Sequence, residues 1–364
     1  MIRTQIERAR RLRITFYGWQ QGDSRPQVDM LQLLLEHSSV WEELRLELTT
    51  ALVPTLRACR ERLPVLWRAW VQWDGPESQV GIEAIDFFAM AHALADITVL
   101  CEYRFMPTLL PMHNQLIRYD FDAPWATHYE LLKSLPNLRE ARITRNFDTV
   151  TPWPERREAI LLLHLRRLYV NDPEILDHIR APALEILAVL SDDDVETPSH
   201  LASFFMRSSC LLRRLCIAGL PDVESTMIIL QQHPSITKLA FLIRDMHRKN
   251  QDTECDVFTR LIAHFTVSNA TGMLPHISKL AFECQNADSV PWPLYLDMLD
   301  SRETAQDCTL QAAELLLPNA VAEPDGESLA RMANLCQAGM QISFSSGENA
   351  EDRANQWLHM PFWE

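Results

Sequence analysis

Side chains that could hold a metal ion or attack a substrate occur in this sequence, but their spacing does not support that chemistry. His247, Cys255 and His264 fall within 18 residues, yet no two of them have the spacing of zinc ligands. The Ser-Ser-Cys sequence at 208–210 lies near a predicted strand without the glycine turn that presents a nucleophile. We therefore expect no catalytic residue, no metal site and no cofactor.

Glycine is scarce, and this excludes three common classes of enzyme. The chain has 9 glycines in 364 residues, whereas average proteins contain about 7%. Their positions give no dinucleotide-binding fingerprint, no phosphate-binding P-loop and no nucleophile elbow. A non-enzymatic protein is favoured, and an enzyme with an unrecognised pocket is the alternative.

The charge balance and the cysteines indicate the classes of partner and the cellular compartment. Lys plus Arg is 34 and Asp plus Glu is 49, a formal net charge of -15, which disfavours nucleic acid and anionic membrane as partners. The start of the chain lacks the apolar segment of a secretory signal, and no apolar run reaches the roughly 18 residues that span a bilayer. The 8 cysteines contain no Cys-x-x-Cys pair. We expect a reduced compartment, cytoplasmic or nuclear.

A short apolar pattern recurs along the whole chain and predicts a repeat protein. Apolar residues occupy its positions 1, 4 and 6, as in the Leu-Arg-Arg-Leu-Tyr-Val string at 165–170. Its last three positions alternate as in a half-buried strand. Copies of the pattern, some of them weak, begin at Ala9, Trp41, Leu66, Leu94, Leu116, Leu138, Leu165, Leu184, Leu212, Ile236, Ile277 and Leu310, and a closing fragment begins at Met340.

Between these strings the apolar spacing changes to that of a helix. Phe258, Leu261, Ile262 and Phe265 form one stripe, and the segment from Leu329 to Cys336 repeats its spacing. Alternating helices and strands predict an α/β fold, which we interpret as one irregular solenoid over 1–364. A curved parallel sheet is expected on its concave side and helices on its convex side, with a possible inserted loop at 244–256. A doubly wound parallel sheet fits less well, because the predicted strands are short, one-sided and about a dozen in number.

Three segments carry a resemblance to a known family. They are 31–46, with its His-Ser-Ser-Val-Trp sequence, 131–140, and 165–187, with its Leu-Asp-His-Ile-Arg-Ala-Pro-Ala-Leu-Glu sequence. The chain resembles the leucine-rich-repeat regions of fungal F-box proteins, particularly those of mushroom-forming fungi. This resemblance implies that the predicted solenoid is a single, irregular leucine-rich-repeat-like domain. It departs from the usual repeat by lacking the Asn or Cys after most strands, and its first predicted strand begins at Leu12 with no F-box before it.

The resemblance implies a protein-interaction module, similar to the target-recognition arm of an F-box ubiquitin ligase subunit. A Skp-family adaptor is then a partner only if an F-box is supplied upstream. A truncated gene product without retained activity is the other alternative.

Strand alternation predicts which side chains would meet a target protein. Positions 3 and 5 of each string point away from the core, and parallel stacking aligns them across the sheet. The predicted partner-binding residues are Arg142, Arg167, Tyr169, Arg214, Lys238 and Lys279. A basic stripe of this kind favours an acidic or phosphorylated segment, which Arg can bind through two parallel hydrogen bonds. The alternative is that the stems of these side chains only cover apolar surface.

Overall fold

A computed structural model describes most of the chain. The described residues are 8–19, 23–73, 88, 90–100, 115–146, 153, 158–191, 196–244, 251–267, 274–285, 290–319 and 324–358. They divide into two compact units. The N-terminal unit comprises Met1–Arg166 with His178–Ala181, and the C-terminal unit comprises Arg167–Asp177 with Pro182–Glu364.

The described part of the N-terminal unit contains six parallel strands that pair in chain order. They are β1 (Leu12–Tyr17), β2 (Trp41–Leu48), β3 (Arg68–Trp73), β4 (Asp96–Leu100), β5 (Arg118–Asp122) and β6 (Glu140–Thr144). A separate short pair joins β7 (Ile160–Leu161) to β9 (Ile179–Arg180). The helices are α1 (Arg25–Leu35), α2 (Val53–Leu56) and α3 (Trp125–Lys133).

The C-terminal unit repeats this arrangement with helices of 10 to 15 residues. Its described parallel strands, also paired in chain order, are β8 (Arg167–Val170), β10 (Ile186–Ser191), β11 (Arg214–Gly219), β12 (Lys238–Ile243), β13 (Lys279–Cys284), β14 (Ala312–Leu317) and β15 (Gln341–Ser346). Its helices are α4 (Thr197–Ser208), α5 (Val223–Gln232), α6 (Gln251–Phe265), α7 (Trp292–Thr304), α8 (Gly326–Gln337) and α9 (Gly347–Trp357).

Side-chain alternation explains why these segments form strands between helices. Positions 4 and 6 of each string point toward the helices, where Phe241 and Phe282 pack against the rings of α6. Tyr295 of α7 meets Phe282 edge to face, with ring centroids 6.4 Å apart. Each string thus buries one face of its strand under the following helices. The predicted α/β, leucine-rich-repeat-like fold is confirmed.

The expected inserted loop at 244–256 is wrong in its second half. Helix α6 begins at Gln251, because Phe258, Leu261, Ile262 and Phe265 extend one buried stripe that supports helical turns on its N-terminal side. Residues 245–250, including His247, lie outside the described part of the chain. No helix among the described residues is long and apolar enough to cross a membrane.

A buried histidine connects a helix of the N-terminal unit to two of its strands. His128 of α3 is fully buried. Its Nδ1 lies 2.7 Å from the Tyr119 hydroxyl and its Nε2 lies 2.9 Å from the Thr144 carbonyl oxygen. A neutral ring satisfies both contacts, accepting from Tyr119 and donating to Thr144. Burial lowers the pKa of His128 to about 4, so the ring is neutral at pH 7.

Candidate partner-binding site

The outer face of the C-terminal sheet, which we define as the face opposite the helices, carries four of the predicted cations in one row. Strand register places Arg167, Ile186, Arg214, Lys238 and Lys279 side by side on consecutive strands. We call the four charged members of this set, Arg167, Arg214, Lys238 and Lys279, the cation row. The sequence prediction that these side chains line up across parallel strands is therefore correct in its geometry.

A second row of the outer face consists mostly of small side chains. Tyr169, Ala188, Cys216, Ala240, Ala281 and Glu314 are register neighbours. The four small members, Ala188, Cys216, Ala240 and Ala281, form what we call the small-residue row, and each is fully buried. Burial of outward-facing residues means that another segment of the protein lies on top of them.

The covering segment is the C-terminal helix α9. Ala350, Ala354 and Trp357 of this helix, with Leu358 after it, form one buried cluster with the outer face. On the sheet side the cluster contains Tyr169, Ala188, Cys216, Ala218, Ala240, Leu242, Ala281 and Leu316. Residues 350, 354 and 357 have the i, i+4, i+7 spacing of one helical face. We call the outer-face side chains of this cluster the seat.

A single glycine redirects the chain from the last strand to the seat. Strand β15 ends at Ser346 and α9 begins at the next residue, Gly347, whose φ is +58°. L-residues with a side chain rarely adopt this left-handed conformation, whereas glycine adopts it freely. A Cβ at Gly347 meets no atom within 4 Å. The requirement for glycine here is therefore one of backbone conformation.

Glu314 of β14 binds the end of α9 through several hydrogen bonds. The Trp357 indole donates from Nε1 to Oε2 at 2.8 Å, and the Arg353 guanidinium donates to both carboxylate oxygens. Lys279 Nζ lies 2.6 Å from Oε1. Burial opposes ionisation of Glu314, but the hydrogen bonds from Arg353, Lys279 and Trp357 outweigh it and hold the pKa of Glu314 below its usual value. The carboxylate is ionised at pH 7.

The cation row contacts the same end of α9. The Arg214 guanidinium lies 4.1 Å from the centroid of the Trp357 ring and donates from Nη2 to the Gln356 carbonyl oxygen at 2.9 Å. Lys279 Nζ lies 5.6 Å from the Trp357 centroid. A cation close to the last carbonyls of a helix complements its dipole, and cations over an indole face are attracted to it.

These contacts change the interpretation of the predicted residues. Tyr169, Arg214 and Lys279 take part in holding α9, so they do not form a surface open to solvent. Arg167 and Lys238 are exposed. The predicted row is also not uniformly basic in its surroundings, because Glu314 and Glu283 stand on the adjacent strands of the same face.

Glu283 is neutralised by an ion pair at the edge of the seat. Arg244 donates from Nε and Nη2 to its two carboxylate oxygens at 2.6 and 2.7 Å. Burial raises the pKa of Glu283, and the pairing with Arg244 counteracts this rise. A buried carboxylate is tolerated when such paired hydrogen bonds satisfy it.

Arg142, the remaining predicted residue, belongs to the N-terminal unit, whose outer face has a different charge pattern. Arg13, Glu43, Arg68, Asp96, Arg118 and Glu140 alternate in sign from strand to strand. Asp96 Oδ2 lies 3.0 Å from Arg68 Nε and 3.4 Å from Arg118 Nη1. Arg142 Nη1 lies 3.8 Å from Asp120 Oδ1. Here the cations pair with carboxylates of the unit itself.

Among the described residues, those considered for metal or nucleophilic chemistry are not assembled into a site. His264 Nε2 lies 3.1 Å from Glu224 Oε1 on the surface of the helices. Burial raises the pKa of Cys210 to about 11, so its thiolate is scarce at pH 7. The described residues contain no group of three His, Cys, Asp or Glu side chains that could hold a metal ion.

Sequence reasoning missed the occupant of the outer face. Helix α9 has few apolar residues, and it buries only Ala350, Ala354 and Trp357. The helix therefore has only a weak apolar pattern in the sequence. A signal was nevertheless present in the strands, where outward positions hold Ala188, Cys216, Ala240 and Ala281. Four small, largely apolar residues in one register row are unusual on a solvated sheet face, and they indicate a covering segment.

The parallel strands paired in chain order and the alternating helices define a leucine-rich-repeat-like fold. A solved structure that resembles the chain is the crystal structure of an internalin from Listeria monocytogenes, with 10% sequence identity and a TM-score of 0.28. The match covers 94% of this chain and 88% of that chain. No protein-family model matches the chain, and no curated protein matches it. The assignment of the fold rests on the strand order and register described above.

Proposed function

We propose that the chain is a non-catalytic protein-interaction module that binds a segment of a partner protein on the outer face of the C-terminal unit. One observation carries the proposal: this face already holds a polypeptide helix, α9, through its small-residue row and through Arg214 and Lys279. A face that provides a close-packed seat and an aromatic-binding cation pair has the features of a polypeptide-binding surface.

The exposed cations Arg167 and Lys238 extend this surface with positive charge. They support a partner segment that is acidic or phosphorylated, because such segments are bound by Arg and Lys clusters. The resemblance of the repeats to fungal F-box proteins supports a role as a target-recognition arm of a ubiquitin ligase subunit. Binding of a Skp-family adaptor belongs to the F-box in that family, so we propose it only for a form that carries one. The cytoplasm or the nucleus is the proposed location.

Site-specific photo-cross-linking in cells tests this function. A photoreactive amino acid replaces Lys238 on the outer face or, as the control, the partly exposed Arg260 on helix α6. We expect a defined protein adduct from position 238 that Arg167→Glu removes, and no such adduct from position 260. Equal adducts from both positions, or an adduct from position 260 alone, contradict the proposed surface.

A further inference from the structure

We propose that α9 is a built-in occupant of a helix-binding seat, and that the partner displaces it with a helix of the same chemistry. This inference rests on the proposed function and specifies what is bound and how access is controlled. The partner segment is an amphipathic helix with small residues at i and i+4 and an aromatic residue at i+7, as in Ala350, Ala354 and Trp357.

The seat has the shape that such a helix needs. The small-residue row removes side-chain bulk along consecutive strands, and α9 meets it with alanine at both 350 and 354. Small residues on both surfaces let the helix backbone approach the sheet closely, because the distance between packed elements depends on the size of the side chains at the contact. A larger residue at position 350 or 354 of the bound helix therefore clashes with the sheet.

The end of the seat recognises a tryptophan near a helix C-terminus. The Trp357 ring lies close to the charged ends of Arg214 and Lys279, while its Nε1 donates to Glu314. Arg214 also binds the carbonyl oxygen of the preceding residue, Gln356. These contacts recognise the aromatic ring, its N–H group and the end of the helix. The seat therefore binds a helix specifically and also buries its apolar face.

The composition of α9 favours displacement over permanent packing. It has 11 residues, and its Glu348, Asn349, Glu351 and Asp352 side chains are exposed. Isolated helices of this length are marginal in water, so the helix depends on the seat for its order. Its attachment to β15 makes it a competitor at an effective concentration in the millimolar range typical of short tethers. A partner helix must overcome this competition, and this is how the chain controls access.

Hydrogen exchange on the unmodified full chain gives the first test. We expect the amides of α9 to exchange at least tenfold faster than those of β11–β13 at pH 7, because α9 leaves the seat without unfolding of the sheet. Exchange of α9 at the same rate as these strands, with the same dependence on denaturant, overturns the proposal, since α9 is then an integral part of the fold.

A peptide competition with the full chain gives the second test. The probe is a fluorescently labelled peptide of residues 346–358, measured by anisotropy. Ala354→Arg places a large cation against the seat and releases the tethered helix, so this variant should bind the peptide with at least tenfold lower Kd than the wild type. Asn349→Arg introduces the same residue on the exposed side of α9 and should bind as the wild type does. A peptide carrying Trp357→Ala should not bind.

The outcomes separate this inference from the proposed function. A folded Ala354→Arg variant that binds the peptide no better than the wild type overturns displacement, while a cross-link from position 238 still supports the function. Tighter peptide binding without any cross-link supports the seat and contradicts the function. A wild-type dimer that exchanges α9 between two copies, detected by light scattering, overturns the partner helix as occupant. If Ala354→Arg does not fold, the hydrogen-exchange result decides.

Discussion

The indole of Trp357 and the carboxylate of Glu314 are joined by a hydrogen bond of 2.8 Å across 43 residues of sequence. This bond connects the C-terminal helix to β14 on the outer face, beside the strands where the sequence predicted an open binding surface. The same carboxylate binds Arg353 and Lys279. Glu314 therefore links α9, the cation row and the sheet.

Substitution of Trp357 should release α9 and leave the sheet intact. Trp357→Ala removes a nearly fully buried ring, and such truncations cost about 3–5 kcal/mol in protein cores. Because the ring belongs to α9, we expect hydrogen-exchange protection to be lost over 347–357 only. Trp357→Phe keeps most of the apolar contact and loses the bond to Glu314, which should cost about 1–3 kcal/mol. Equal loss of protection in β11–β13 contradicts this assignment.

Acid should detach α9 through Glu314. A carboxyl whose pKa is lower in the folded state stabilises that state above the ordinary carboxyl pKa of about 4.3, and this contribution is lost as the pH falls through the lowered value. Protection of α9 should therefore be constant near pH 7 and decline below about pH 4. Glu314→Gln should weaken protection at pH 7 and flatten the pH dependence. An unchanged acid profile in Glu314→Gln excludes Glu314 as its origin.

The conformation of Gly347 can be tested without altering any contact of the seat. Gly347→Ala should destabilise the docked position of α9 by about 1–2 kcal/mol, which is the cost of the left-handed conformation for an L-residue. Gly326 at the start of α8 is the matched control, since a Cβ there also meets nothing within 4 Å and no positive φ is required. Gly326→Ala should leave α9 protection unchanged. Equal protection of α9 in both variants argues against a requirement for the left-handed conformation at Gly347.

His128 should make the stability of the N-terminal unit depend on pH. The unfolded chain takes up a proton near pH 6.5, whereas the folded His128 remains neutral until its lowered pKa of about 4. The free energy of unfolding of the N-terminal unit is thus highest above pH 6.5, and it falls by about 3 kcal/mol as the pH is lowered from 6.5 to 4. His128→Phe should be less stable at pH 7, by about 1–3 kcal/mol for each buried polar group left unpaired. The His128→Phe variant should also lose the pH dependence of its unfolding free energy. The Tyr119→Phe variant, which keeps His128, should retain it. Urea titrations at several pH values compare the two variants.

Much of the fold could be predicted from sequence because each strand carries its own local pattern. The parallel strands of both units begin within three residues of the starts of the apolar strings, as at Leu165 and Arg167. Strand alternation also placed Arg214, Lys238 and Lys279 in one row. The two-residue strands β7 and β9 could not be predicted, since two residues give no periodicity.

The helices at the C-terminal end were harder to predict. The apolar stripe of α8 that begins at Leu329 has helical spacing but is not its buried face, because Leu329 is 48% exposed and Leu335 is buried instead. Helix α9 escaped prediction because its packing depends on residues far away in sequence, such as Cys216 and Glu314.

The central claim is that α9 covers the outer face of the C-terminal unit, and the thiol of Cys216 tests it most directly. Cys216 lies in the small-residue row and is fully buried, whereas Cys336 is exposed and Cys284 is buried on the helix side of the sheet. Burial also raises the pKa of Cys216 to about 12. Maleimide labelling, followed by mass spectrometry of the peptides, compares the three thiols in one folded sample.

We predict that Cys336 reacts rapidly in the wild type while Cys216 and Cys284 do not. In Trp357→Ala, Cys216 should become reactive, at least tenfold faster than in the wild type, and Cys284 should stay protected. Labelling of Cys216 in the folded wild type as fast as that of Cys336 contradicts the account, because the outer face is then open and α9 does not occupy it.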